Sequence, residues 1–184
     1  DKTMTFESPR DLGRWLQGNH ATESELLIKM FKKGSGNPSV NWDEVVIESL
    51  CWGWIDGIKK SLDEQAYIQR ITPRKPRSNW SKRNTEHVDR LIAEERIKEP
   101  GLVHVRAAKA DGRWDQAYSV KEMKVPEDFL GALLSMPKAK HFYETLTKSN
   151  RYVIAYGLES AKKPETRQRR FKQFMDKLAR NEKP

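Results

Sequence analysis

Residues 71–84 hold the densest group of side chains that could bind an anion. The segment reads ITPRKPRSNWSKRN and contains five Lys or Arg, two Pro and one Trp, but no Asp or Glu. Arg offers a planar fork that matches phosphate or carboxylate oxygens, and an indole face can stack on a base. We therefore predict that this basic loop binds an anionic ligand through Arg74, Arg77, Trp80, Ser81 and Asn84.

The basic loop also has a purely structural interpretation. Arg74 and Arg77 could pair with the protein's own carboxylates, such as Asp56 or Asp63, while Trp80 packs in the core. The two interpretations differ in one respect, because only the first leaves the guanidinium groups available to a ligand.

A second basic segment, residues 162–172, reads KKPETRQRRFK and holds six Lys or Arg against one Glu. Arg167 and Arg170 are three residues apart, so on a helix they share a face, and we add them and Thr166 to the predicted ligand-binding residues. Positive side chains at a helix N-terminus oppose the macrodipole, which favours a binding role over a stabilising one. We hypothesise that both basic segments line one cleft. The alternative is a solvated helix face.

Asp56, in the motif GWIDG at 53–57, is the one weak candidate for a catalytic residue. A partly buried carboxylate on a strand could act as a general base. A structural salt bridge with an arginine is the alternative. Trp54, two residues after Trp52, is predicted to share a strand face with it, either as a stacking wall for a ligand or as core.

The composition restricts the remaining possibilities. The net charge of +9 comes from the two basic segments on an otherwise nearly neutral chain. Such local patches attract anions. The four His show no paired metal-ligand spacing, so we predict neither a metal site nor a cofactor. A single cysteine, Cys51, allows no internal disulfide and fits a reducing compartment, and no apolar run approaches the length of a membrane span. We therefore predict a cytoplasmic protein.

The elements that must position these residues follow from apolar periodicity, caps and breakers. In the first part of the chain these signals predict helices at 9–17, 42–51, 81–97 and 100–111, and strands at 24–34, 53–60 and 65–72. Gly53 and Gly57 inside the strand at 53–60 suggest a bulge or a close approach by another backbone. After a linker at 114–125, three prolines and a capping Ser149 predict four short helices. We predict an α+β fold: a small antiparallel sheet with flanking helices in domain 1–124, then a C-terminal helical module at 125–184.

Four motifs in this order resemble the YdeI/OmpD-associated family, also described as bacteriocin-protection proteins. They are GWIDG (53–57), TPRKPRSNWSKRN (72–84), DGRWDQAY (111–118) and AKKPETRQRR (161–170). The resemblance implies that the last helical segment is a module of its own. It also implies a role in bacteriocin or stress tolerance, and a first half related to the small α+β fold of YjbR-type and frataxin-like proteins. It supplies no catalytic residues.

Together these observations predict a non-enzymatic protein that binds a nucleic acid, a nucleotide or another phosphorylated ligand. Two alternatives stay open. One is an enzyme that acts on a small phosphorylated or carboxylated substrate, with Asp56 transferring protons. The other is a basic docking module for an acidic protein partner. The sequence does not indicate an oligomeric state.

Overall fold

The computed structural model describes residues 3–117 and 123–184. The chain divides into two compact units, residues 1–117 and 118–184. Residues 118–122 of the predicted linker lie outside the described residues, and the predicted domain boundary between residues 124 and 125 stays a prediction. Within the described ranges, no helix combines the length and the apolar composition needed to cross a lipid bilayer.

The first unit contains an open four-stranded sheet and four helices, which confirms the predicted α+β class. The strands are β1 (Thr3–Met4), β2 (Leu26–Phe31), β3 (Trp54–Ser61) and β4 (Ala66–Pro73), in the order β1-β2-β4-β3. The hairpin β3–β4 and the pair β2–β4 are antiparallel, while β1 runs parallel to β2. The helices are α1 (Pro9–Asn19), α2 (Trp42–Cys51), α3 (Lys82–Ala93) and α4 (Glu99–Ala110).

Local sequence signals explain why these elements form. Ser8 caps α1 by accepting a hydrogen bond from the backbone N–H of Asp11. Asn41 and Glu44 form the predicted capping box of α2. β2 alternates strictly, with every second residue buried against α1 and α2. A register shift in β3 between Asp56 and Lys59 confirms the predicted bulge.

The prediction that Trp52 and Trp54 share a strand face is wrong. Trp52 is the C-terminal cap of α2, and β3 begins only at Trp54. Gly53 between them has a φ of 74°, and a Cβ at this position would lie 2.4 Å from the carbonyl oxygen of Pro100. Only glycine satisfies both constraints, so the chain turns sharply here instead of extending the strand. The two-residue strand β1 was not predicted.

In its described residues, 123–184, the second unit has four short helices, as predicted. They are α5 (Glu127–Leu134), α6 (Pro137–Glu144), α7 (Lys148–Glu159) and α8 (Pro164–Ala179). Their apolar faces meet in a core that includes Phe129, Ile154 and Leu178. The predicted cap Ser149 is wrong by two residues: Thr147 is the N-cap of α7, and its hydroxyl accepts a hydrogen bond from the N–H of Asn150.

Candidate anion-binding site

The basic loop leaves β4 through a tight turn. The N–H of Arg74 donates to the carbonyl oxygen of Gly53 at 2.8 Å, and the N–H of Ser78 donates to the carbonyl oxygen of Lys75 at 3.2 Å. Pro76 is the second residue of this turn and Arg77 is the third, with a φ of 62°. A proline followed by a positive φ defines a type II turn, which favours glycine at its third position. Arg77 occupies that position and its side chain is exposed.

Arg74 holds the loop from inside. Its side chain is 4% exposed, and its guanidinium lies 3.8 Å from the centroid of the Trp80 ring. It also donates to the hydroxyl of Ser78 at 3.0 Å and to the carbonyl oxygen of Asn79 at 3.3 Å. Trp80 is itself buried and packs against Trp114 at 4.9 Å between ring centroids. Trp80 is therefore a core residue, as the structural interpretation expects, while the pairing of Arg74 with Asp56 or Asp63 stays a prediction.

Arg113 is a second buried guanidinium beneath the loop, and sequence reasoning missed it. Its Nη1 donates to the carbonyl oxygen of Ser78 at 2.6 Å, and its Nε donates to both carboxylate oxygens of Asp111 at 2.8 and 2.9 Å. The available signal was its position in the motif DGRWDQAY, which had served only for the family resemblance. Burial, then the charges of Arg74 and Arg113, lower the pKa of His104, which favours its neutral form.

The exposed cations of the loop are Lys75, Arg77, Lys82 and Arg83. Arg83 forms an ion pair with Asp43, and its guanidinium lies 4.6 Å from the centroid of the Trp42 ring. The charge of Arg83 is therefore partly matched by the protein itself.

The loop leads directly into the N-terminus of α3. Ser81 is the N-cap, and its hydroxyl accepts from the N–H of Asn84 at 3.1 Å. The first turn of α3 contains no acidic residue. The positive pole of the helix therefore adds to the charges of the loop and carries no carboxylate of its own.

Asp56 and Trp54 lie apart from these contacts. The carboxylate of Asp56 accepts a hydrogen bond from the indole nitrogen of Trp42 at 3.1 Å. This contact does not test the general-base role of Asp56, which stays a prediction. Trp54 is 1% exposed, packs edge-to-face on Trp15, and donates through its indole nitrogen to the carbonyl oxygen of His20. It therefore presents no open ring face to a ligand and matches the alternative of a core residue.

The second basic segment is held by its own helical unit. Arg167 donates to both carboxylate oxygens of Asp128 at 2.7 and 2.9 Å, and these hydrogen bonds lower the pKa of Asp128. Arg170 donates to the carbonyl oxygen of Gly157 at 2.9 Å and to the hydroxyl of Ser160 at 3.3 Å. Thr166 is half-buried in the first turn of α8. Because the two basic segments belong to different compact units, the shared cleft stays a prediction.

Each of the two parts of the chain matches a known protein family. Residues 122–181 match the family described as bacteriocin-protection, YdeI or OmpD-associated, which confirms the resemblance seen in the sequence. Residues 4–104, more than half of the chain, match a domain of unknown function, DUF8412. The chain therefore belongs to the DUF8412 family, and its DUF8412 domain is followed by a helical segment of the YdeI/OmpD-associated type. No curated protein and no solved structure matches it, so a relation to YjbR-type or frataxin-like proteins stays a prediction.

Proposed function

We propose that this protein binds a phosphate-bearing ligand, without catalysing a reaction, at the exposed rim of the basic loop. The observation that carries the proposal is the backbone conformation of the exposed residue Arg77. Its exposed guanidinium is attached to a backbone position with a φ of 62°, where folding alone would favour glycine. Residues kept in such conformations concentrate at binding and active sites, where the side chain has a use that offsets the strain.

The surroundings of Arg77 support this function. Lys75 and Lys82 are exposed on the same loop, and the loop itself contains no acidic residue. The N-terminus of α3, capped by Ser81, adds backbone N–H groups that favour an anion. A phosphate contacted here would meet several donors at once, and the amide of the Asn84 side chain adds a neutral one.

The buried arginines have a different role in this proposal. Arg74 and Arg113 both donate to Ser78 and fix the loop from below. Preorganised donors bind more tightly, because less conformational entropy is lost on binding. Arg167 and Arg170 stabilise the helical unit and are no longer assigned to the ligand. The contacts proposed for the ligand are those of Lys75, Arg77, Ser81, Lys82 and Asn84.

A nucleic acid is the ligand that we favour, because several cations follow one another along an exposed chain segment. The cytoplasm, which the single cysteine suggested, would give the protein access to nucleic acids. Protection against bacteriocins is the cellular role that the family description suggests. A single nucleotide or another phosphorylated molecule would use the same donors and is distinguished by the experiment below.

The test is fluorescence anisotropy of a labelled 12-nucleotide single strand, titrated with the full chain at 50 and 200 mM KCl. If three phosphates are neutralised, the affinity falls about 20-fold between these salt concentrations, from a slope of about 0.7 per phosphate on logarithmic axes. The triple variant Lys75→Glu, Arg77→Glu, Lys82→Glu should abolish measurable binding. The matched control carries the same charge change at the exposed positions Lys33, Lys138 and Lys172.

A salt-independent affinity, or an equal loss in both triple variants, would overturn the proposal. If AMP or inorganic phosphate competes fully with the oligonucleotide at equal phosphate concentration, the ligand is a small phosphorylated molecule held at the same rim. If instead an acidic peptide such as poly-glutamate displaces the oligonucleotide at lower charge concentration, the loop is a docking surface for acidic proteins, and the proposal for phosphate is wrong.

A further inference from the structure

A cavity in the helical unit has features that the anion-binding loop does not explain. It has a volume of about 820 Å³ and lies between the start of α5, the end of α6 and the first half of α7. Its walls include Leu130, Tyr143, Tyr152 and Ala155. This volume is within the range of small-molecule sites, which combine apolar and aromatic walls with a few polar groups.

The charged groups around this cavity are mostly positive. Lys124, Lys148 and Arg151 line it, and Glu127 is the one acidic residue among the described residues of the lining. Among the described residues, neither Lys148 nor Arg151 forms a salt bridge. The first turn of α7, which also borders the cavity, contains no acidic residue. The cavity therefore has an excess of positive charge at one side.

Arg151 is held in place before any ligand binds. Its Nη2 donates weakly to the carbonyl oxygens of Tyr143 and Glu144 at 3.4 and 3.3 Å, and its guanidinium lies 4.7 Å from the centroid of the Tyr143 ring. The Nε of Arg151 is buried and, among the described residues, has no hydrogen-bond partner. A buried donor without a partner is unfavourable, so the contacts inside the helical unit do not satisfy every polar group of Arg151.

Tyr143 and Tyr152 add the second recognition element. Both line the cavity, and Tyr152 stacks on Tyr156 at 5.9 Å between ring centroids with an angle of 26° between the rings. Burial raises the pKa of the Tyr143 hydroxyl, so it stays protonated at neutral pH. Flat aromatic walls favour a flat ligand, while the cations near the end of α6 and the start of α7 favour an acidic group.

We propose that this cavity binds a small aromatic acid, with its ring between the tyrosine and leucine side chains and its carboxylate or phosphate on Arg151 and Lys148. This site lies wholly within the helical unit. The inference does not rest on the function proposed for the basic loop, and failure of either leaves the other intact.

The test uses 1-naphthoate as the probe, with isothermal titration calorimetry of the full chain and amide chemical shifts to locate binding. The uncharged analogue 1-naphthalenemethanol should bind at least about 10-fold more weakly, because a charge-assisted hydrogen bond contributes about one to two powers of ten in affinity. Phenyl phosphate, titrated in parallel, distinguishes a phosphate ligand from a carboxylate ligand. Shifts should concentrate at the amides of residues 148–155.

Variants sharpen the test. Arg151→Met keeps the apolar stem and should weaken naphthoate binding about 10-fold or more. Leu130→Glu places a carboxylate at a wall position that is 38% exposed, so the fold should tolerate it while the anion is repelled. Lys172→Met removes a cation from the exposed surface of α8 and should leave binding unchanged. Thermal unfolding of each variant establishes that it is folded.

The result that overturns the proposal is equal affinity for naphthoate and its alcohol, or naphthoate binding that Leu130→Glu leaves unchanged. If Arg151→Met does not fold, Leu130→Glu and the neutral analogue decide the question alone. Competition by the 12-nucleotide strand at this site would also refute the inference, because it would show a general attraction for phosphates in place of a built pocket.

Discussion

Replacing Arg77 with glycine separates a binding role from a folding role. The residue occupies the third position of the turn Lys75–Ser78 with a φ of 62°. An L-residue in the left-handed region is disfavoured by about 1–2 kcal/mol, whereas the greater freedom of an unfolded glycine lowers the stability of the folded state by about 0.5–1 kcal/mol. Arg77→Gly should therefore leave the free energy of unfolding unchanged or raise it by about 1 kcal/mol, while binding to the oligonucleotide weakens.

The matched variant is Arg77→Ala. It removes the same guanidinium but retains a Cβ, so the backbone strain remains and any structural contact of the arginine is lost in both variants. The two variants should bind the oligonucleotide equally, with the salt dependence reduced by about one phosphate relative to the wild type. Arg77→Gly should be more stable than Arg77→Ala by about 1 kcal/mol.

Urea unfolding followed by tryptophan fluorescence provides the stabilities, and anisotropy provides the affinities. If Arg77→Gly and Arg77→Ala both lose more than about 1 kcal/mol of stability, the side chain holds the fold together, and its unusual backbone conformation gives no support to a binding site. If both variants bind as the wild type does, the contact proposed for Arg77 is wrong.

Three further outcomes follow from the structure. Gly101→Ala would place a Cβ 2.5 Å from a carbonyl oxygen of α2 and should destabilise the protein by about 1–3 kcal/mol in urea unfolding. Gly18→Ala is the opposite case: it lies in helix α1 with open space around its Cβ, so it should stabilise the protein by about 0.5–1 kcal/mol. Arg167→Ala should reduce stability by less than about 1 kcal/mol, because the pair with Asp128 is largely exposed. The pKa of Asp128 is lowered in the folded state. The stability difference between the wild type and Arg167→Ala should therefore be present above pH 3.8, the ordinary pKa of an aspartate, and disappear as the pH falls through the folded pKa. Unfolding measured between pH 2 and 6 checks this. Burial raises the pKa of Cys51 to about 12, so a disulfide reagent at pH 8 should label this thiol only after unfolding, and rapid labelling of the native protein would contradict its placement in the core.

The helices and most strands were predictable because their signals are local. The strict alternation in β2 and the capping box of α2 are properties of a few consecutive residues, and both appear in the structure where the sequence placed them. β1 carries no such signal, because two residues cannot show a period and its pairing with β2 depends on tertiary contact. The placement of Trp52 failed for a similar reason: the turn at Gly53 follows from close packing against α4.

The sequence predicted which residue types gather at the site, but not which of them are buried. The sequence showed that cations and a tryptophan gather between β4 and α3, and the structure keeps them together in one loop. It did not show which cations face inward. Arg74 and Lys75 are neighbours, yet Arg74 is buried on Trp80 and Lys75 is exposed. That division depends on Arg113 and Trp114, which lie more than thirty residues further along and complete the layer beneath the loop.

The second basic segment shows why a helix-dipole argument is insufficient on its own. Cations at the N-terminus of α8 oppose its macrodipole, and this had favoured a ligand as their reason for being there. In the structure Arg170 reaches the last turn of α7, where carbonyl groups form a negative pole, and Arg167 reaches the carboxylates of Asp128. Contacts of about 3 Å with a neighbouring helix end and a full negative charge outweigh the diffuse repulsion from half a charge on α8. Within the basic loop the residues differ in exposure instead: Arg74 is buried on Trp80, whereas Lys75 and Arg77 are exposed.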